Sequence, residues 1–300
     1  MMCKSKNVIL KNHTTFKVGG PADEFYEPEN FEELIEIIHQ CKIQEKKYFI
    51  LGGGSNLVFS DAGFRGTVIC TKKLNKIKLI DSNHVIAEAG ATMKELVDFC
   101  IENGLSGMEE FAGLPGSVGG ALYMIARGFE KSVSDTLSET HWLEENEGEI
   151  KNREIKFEED AKNWNYKKSP FQNTGKIIKS GTFKVKPAEN NDFKDAIKSK
   201  CAGYIKSREE KGHFRFPSAG SVFKNNHDFG KPSGKLIDEA GLRGKKIGGA
   251  QIAEFHGNFI VNVDKATAEN IRELVELTKK TVKEKFGFEL QEEIIFIEEE

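Results

Sequence analysis

The sequence predicts an α+β fold, and three observations carry that prediction. Helical apolar spacing and short extended runs are mixed along the chain. Glycine gathers in two segments of the first half, and a polar break at Pro187-Ala188-Glu189-Asn190-Asn191-Asp192 precedes a new helical pattern from Phe193.

The elements follow in order. Phe31, Leu34, Ile35 and Ile38 recur at helical spacing over Asn30–Cys41, with Asn30 and Glu33 forming the cap. Tyr48–Leu51 reads as a strand entering Gly52-Gly53-Gly54-Ser55-Asn56, and Leu57-Val58-Phe59 reads as strand again, so this glycine loop joins two extended segments. His84–Glu88 is a further strand. A helix over Thr92–Asn103 has a capping box in Thr92 and Glu95, turns Leu96, Phe99 and Cys100 to a core, and stops at Gly104. The second glycine segment, Phe111–Ala121, leads into a short helix through Met124, and strands with polar turns occupy Thr140–Lys186. Beyond the polar break come a strand at Asn258–Val263 and a helix over Thr267–Phe286, which buries Ile271, Leu274, Val275 and Val282 and ends at Gly287. Phe288-Glu289-Leu290 and Ile294–Ile297 read as a last strand, and Glu298-Glu299-Glu300 as a solvated tail.

Composition excludes several function classes. With 44 Lys+Arg against 47 Asp+Glu among 300 residues, the net charge of −3 supplies no overall field for nucleic acid. At 38% hydrophobic the chain can build a sizeable core, and its length suggests two domains. No stretch reaches the roughly 18 apolar residues of a membrane helix and no signal-like run opens the sequence, so no membrane partner and a cytoplasmic location are expected. Cys3, Cys41, Cys70, Cys100 and Cys201 form no CxxC pair and read as reduced thiols, mostly in apolar stretches. The seven histidines show no ligand spacing with each other or with the cysteines, so no metal is expected. A G-x-S-x-G elbow is absent, against a serine hydrolase.

Glycine-rich bends let backbone amides approach phosphate oxygens that side chains would otherwise keep away. Neither segment fits G-x-G-x-x-G or G-x-x-x-x-G-K-[ST], so a Rossmann or P-loop assignment has no support, and a tight turn is the plain alternative for each.

Four ordered motifs carry a resemblance: Leu51-Gly52-Gly53-Gly54-Ser55-Asn56-Leu57, Gly113-Leu114-Pro115-Gly116-Ser117-Val118-Gly119-Gly120-Ala121, Pro217-Ser218-Ala219-Gly220-Ser221-Val222-Phe223-Lys224-Asn225 and Ile247-Gly248-Gly249-Ala250-Gln251. From about Thr14 to Ile297 the chain resembles the UDP-N-acetylenolpyruvoylglucosamine reductase family, in its shorter form lacking an extra tyrosine-bearing loop. The resemblance implies a two-subdomain FAD-binding domain of the vanillyl-alcohol-oxidase type over residues 1–190, with subdomains of about 1–71 and 72–190, and an α+β substrate-binding domain over 191–300. It implies FAD and NADPH as cofactors and a UDP-sugar enolpyruvyl ether as substrate. The oligomeric state is not set by the sequence, and a monomer is expected.

The implied reaction has two hydride steps, from NADPH to flavin and from flavin to the enolpyruvyl carbon, and the enolate-like charge that develops needs cationic groups and a proton donor. By the resemblance Ser221 is the proton donor, Glu293 assists protonation, and Lys167 stands where the family's arginine holds the enolate carboxylate. Tyr166, Lys211, Lys224, Asn225 and Gln251 fall on substrate or nucleotide positions, with His256 and Asn258 in the same C-terminal stretch. FAD contacts fall on Gly52, Gly53, Gly54, Ser55 and Asn56 in the first loop, and on Pro115, Gly116, Ser117, Gly119 and Gly120 in the second. Without the resemblance, Ser221 reads as a turn serine, Lys167 as a solvated lysine, and Glu292 and Glu293 as surface carboxylates on opposite faces of a strand.

Three departures stand out. Lys167 keeps the arginine's charge but loses its planar fork. Ile125 replaces the asparagine of the usual Met-Asn-Ala-Gly, and Ile295 replaces an arginine two residues beyond the C-terminal glutamate. Another FAD oxidoreductase of the same architecture, or a flavin-binding protein without turnover, are the alternative readings.

Overall fold

Residues 4–146 and 148–299 are described by a computed structural model, and the chain divides into two compact units. The first comprises residues 4, 26–53 and 68–207, and the second residues 5–25, 54–67 and 208–299. Cys3 and Glu300 lie outside the described residues.

In the first unit, α1 (Phe31–Ile43) begins where the Asn30 side chain accepts from the Glu33 amide, and it buries Leu34, Ile37, Ile38 and Cys41. Phe31 and Ile35 of the expected stripe pack only partly against that core. Helix α2 (Met93–Glu102) carries the full Thr92/Glu95 capping box and buries Met93, Leu96, Val97 and Cys100, with Phe99 of the expected face packed partly against the same core. Helix α3 (Val118–Met124) starts from Ser117 and ends at Ile125, whose φ of 47° is left-handed. A short α4 (Phe157–Asp160) and the long α5 (Asn191–Glu210) complete the set. An antiparallel sheet runs in the order Glu149–Lys156, Leu137–Asn146, Ile177–Lys184, His84–Glu88, Ile77–Asp81.

Val85 and Ala87 of that sheet share one core with α2, α3 and the Ile197 and Cys201 side chains of α5. Each large side chain so buried contributes about 1.5–3 kcal/mol. Because Ile197 and Cys201 belong to this core, the division between units falls at 207/208, near the end of α5, rather than at the polar break before residue 191. Cys41, Cys70, Cys100 and Cys201 are buried free thiols as expected, and burial pushes Cys100 up to about 12 and Cys201 up to about 11, away from reactive thiolate.

In the second unit, an antiparallel sheet runs in the order Ser218–Ser221, Phe259–Asn262, Ala250–Ile252, Lys246–Ile247. Helices α6 (Ser233–Glu239) and α7 (Ala268–Phe286) share a core with this sheet. Helix α7 has the expected form, with Thr267 as N-cap, Gly287 as left-handed terminator, and Ile271, Leu274, Val275 and Val282 buried. Ile295–Ile297 pairs in parallel with Leu57–Phe59. Phe288-Glu289-Leu290 is not a strand. That segment is held by an isolated bridge at Phe223 and Glu292 and by the Lys224 amide on the Gln291 carbonyl, 2.8 Å.

Candidate active site

In the first unit, the strand Tyr48–Leu51 delivers Gly52 and Gly53 against the second glycine loop. A Cβ on Gly53 would lie 2.6 Å from the Gly116 Cα and 2.8 Å from the Ser117 nitrogen, so only hydrogen fits there. The Ser117 hydroxyl accepts from the Gly53 amide at 3.2 Å and from the Gly120 amide at 3.3 Å. The Val118 and Gly119 amides donate to the Ala91 and Ala89 carbonyls, both at 2.8 Å. The amides of Gly53, Gly119 and Gly120 are therefore engaged within the protein, and what these glycines supply is close approach of bare backbone. That revises the expectation of a cradle built from their N–H groups. A wall without side chains is what a dinucleotide's diphosphate can lie against, so these residues fit FAD.

The Tyr166-Lys167-Lys168-Ser169-Pro170-Phe171 element also belongs to this unit. Asn165 and Lys168 exchange both backbone hydrogen bonds, at 2.9 and 3.0 Å, leaving Tyr166 and Lys167 at the tip of a two-residue turn. Lys167 takes the left-handed conformation, φ 57°, and Tyr166 is exposed. The base of the turn is fixed by Ser169 Oγ donating to the Tyr123 carbonyl at 2.8 Å, by Gln172 Nε2 donating to the same oxygen at 2.7 Å, and by Phe171, buried edge-on against Trp142 and Trp164. The motif's Ser and Phe thus anchor, its Tyr is exposed, and its Lys is half-buried at the tip.

Ile125 closes α3 in a Schellman-like cap, with the Ala126 amide on the Ala121 carbonyl at 2.8 Å. Asparagine and glycine adopt this conformation easily, whereas a β-branched residue is strained there. Its side chain is buried, and that burial offsets the strain.

In the second unit, Ser221 ends a strand opposite Phe259 and follows Gly220, φ 73°. The next residue, Val222, has a carbonyl that accepts from the Glu293 amide at 2.7 Å, so Ser221 and Glu293 are brought onto neighbouring backbone. Asn56 Nδ2 donates to the Glu293 carbonyl at 2.8 Å, and the Ile295 amide donates back to the Asn56 carbonyl at 2.9 Å. Glu292 is ion-paired with Lys279 of α7 at 3.0 Å. Gly54 sits at φ 62°, where a Cβ would fall 2.1 Å from the His13 carbonyl oxygen. Ser55 follows it in the same unit.

Asn258, 3% exposed, holds the segment after Ser221 at three points. Its carbonyl accepts from the Val222 amide, its Oδ1 accepts from the Phe223 amide at 2.9 Å, and its Nδ2 donates to the Phe223 carbonyl at 2.8 Å. Thr15 Oγ1 donates to the Ser218 carbonyl at 2.7 Å, a contact across 203 residues that no local spacing announces. Asn225 Oδ1 accepts from the Ser233 amide at the start of α6, and Ser233 Oγ donates to the Lys224 carbonyl at 2.6 Å. Gln251 is buried and donates to the Gly244 carbonyl at 3.1 Å. Lys211 is exposed. His213 stacks on Phe259, and burial with the neighbouring Arg208 charge holds its imidazole down to about 4; burial also lowers His256, whose Nδ1 accepts from the Asn258 amide.

Among the described residues no helix is long and apolar enough to cross a membrane. Residues 22–152 match the FAD binding domain family, and residues 212–297 match the C-terminal domain of UDP-N-acetylenolpyruvoylglucosamine reductase. The UDP-N-acetylenolpyruvoylglucosamine reductase of Treponema denticola is 42% identical, over 96% of this chain and 91% of its own. That of Borreliella burgdorferi is 40% identical, over 98% of this chain and 94% of its own. The crystal structure of the reductase from Thermus caldophilus superposes with a TM-score of 0.79 at 33% identity, covering 99% of each chain. The α+β class, with an FAD-binding domain followed by a C-terminal domain, is thereby established, and the chain belongs to the UDP-N-acetylenolpyruvoylglucosamine reductase family, FAD-dependent oxidoreductases of peptidoglycan synthesis.

Proposed function

We propose that this chain, a cytoplasmic monomer, reduces UDP-N-acetylenolpyruvoylglucosamine to UDP-N-acetylmuramate with NADPH, using Ser221 as proton donor. Family membership supports the reaction, and the hydrogen bond from the Glu293 amide to the Val222 carbonyl, 2.7 Å, supports the site. That bond runs between the Glu293 backbone and the segment that follows Ser221.

Bound FAD supplies hydride transfer between the nicotinamide and the enolpyruvyl double bond. Gly52, Gly53, Gly54, Ser55, Asn56, Pro115, Gly116, Ser117, Gly119 and Gly120 would hold it. Ser221 Oγ gives its proton to the substrate carbon next to the carboxylate as negative charge develops there, and Glu293 assists that transfer. Lys167, carried at the tip of its turn, holds the substrate carboxylate as a point charge. Lys211, Lys224, Asn225, Gln251 and Tyr166 bind the substrate or the nicotinamide nucleotide. For Asn225 and Gln251, the hydrogen bonds already made in the protein make positioning the larger part of that role.

The two half-reactions test this. In Ser221→Ala, anaerobic NADPH should bleach the flavin at the wild-type rate, while its reoxidation by substrate slows by roughly 10²–10⁴-fold. Wild-type rates in both halves would remove Ser221 from the chemistry.

A further inference from the structure

On the outer strands of the first unit's sheet, Glu139 and His141 lie two residues apart on Leu137–Asn146, so their side chains share one face. Glu154 of the neighbouring strand Glu149–Lys156 is directly opposite His141 and joins them there. One ligand-capable atom from each residue lies within 4.8 Å of the other two. The imidazole has a carboxylate oxygen 3.4 Å from each ring nitrogen, Glu139 Oε2 from Nε2 and Glu154 Oε2 from Nδ1. His141 Nε2 is itself buried and makes no hydrogen bond among the described residues.

A buried ring nitrogen without a hydrogen bond loses water without replacement, which is costly unless something else takes its lone pair. We propose that Glu139, His141 and Glu154 bind one divalent transition-metal ion of the zinc, nickel or cobalt kind. One imidazole and two carboxylates suit such ions, and three protein ligands leave room for water to complete the coordination. Ligand atoms about 2.1 Å from zinc lie about 3.4 Å from one another in a tetrahedron, the separation already present between Glu139 and Nε2. Glu154, 70% exposed, is free to swing the remaining distance. Ser180 and Thr182, opposite His141 and Glu139 on Ile177–Lys184, share this face, with Glu88 opposite Ser180 one strand further on and Lys156 opposite Glu139. Lys156 competes for Glu139, and Glu88 adds negative charge that favours a cation. Spacing along the sequence hides this cluster, because its third ligand arrives by strand pairing.

The test uses the FAD-loaded full chain, freed of metal with a chelator and titrated with Zn²⁺ against a chromophoric competitor. Wild type should take up one equivalent, and His141→Ala and Glu154→Gln should each weaken binding by more than about tenfold. Zn²⁺ should also raise the melting temperature of wild type and leave that of His141→Ala unchanged, since the ion cross-links two strands of the folded state only. Exposed Glu154 keeps the test independent of any folding defect at position 141. No uptake by wild type, or wild-type affinity in both variants, overturns the proposal.

Discussion

The glycine loops of the first unit and the serine segment of the second are held in opposite ways. At Gly53 the geometry depends on a missing side chain, since backbone meets backbone where a methyl group would stand. Around Ser221 it depends on side chains that are present, with Asn258, Thr15 and Asn56 each hydrogen-bonded to backbone far away in sequence. A steric arrangement fails when atoms are added, and a polar one when atoms are removed. Titratable groups border the polar one, since His256 Nδ1 accepts from the Asn258 amide and His213 lies beside that ring.

The largest expected effect is on the polar side. Asn258→Ala strands the Phe223 amide and carbonyl in a buried site, at about 1–3 kcal/mol for each unsatisfied group. Denaturant unfolding should show a loss of about 2–6 kcal/mol, with reoxidation of the flavin by substrate slowed as well. A neutral result would mean that the serine segment holds itself. Gly53→Ala comes next: its methyl group meets only backbone, and overpacking of this kind costs about 1–3 kcal/mol. Flavin content of the purified protein should fall, and a fully loaded variant of unchanged stability would show slack between the loops.

Smallest is the pH dependence that His213 confers. Its folded value, about 4, lies below the ordinary 6.5, so the unfolded chain binds the extra proton first. The stabilisation is therefore complete above pH 6.5 and is lost progressively as pH falls from there towards 4. His213→Gln should flatten the melting temperature over that window, and an unaltered slope would place the effect elsewhere, with half-buried His256 as the next group to change.

Much of the fold was legible because its signals are local. The Asn30 and Thr92 caps, the Thr267 cap of α7 and the strands at Tyr48–Leu51, Leu57–Phe59 and His84–Glu88 each depend on residues a few positions apart. The compact units divide elsewhere than at the polar break, for the complementary reason. A polar break marks where a helix starts, whereas the burial of Ile197 and Cys201 decides which core that helix joins. At the site, the glycines were legible as glycines, but whether their amides face a ligand or another loop was not. The anchoring of Lys167 through Ser169, Gln172 and Tyr123 was equally hidden, spanning 46 and 49 residues.

The pairing of Ile295–Ile297 with Leu57–Phe59, together with the Asn56–Glu293 contact, has a consequence for synthesis. A nascent chain still on the ribosome has made residues 54–67 long before their partners exist. The second unit therefore cannot close until residues 293–297 have left the ribosome, and a chain cut before them would keep Ser221 but lack both Glu293 and the strand that pairs with Leu57–Phe59.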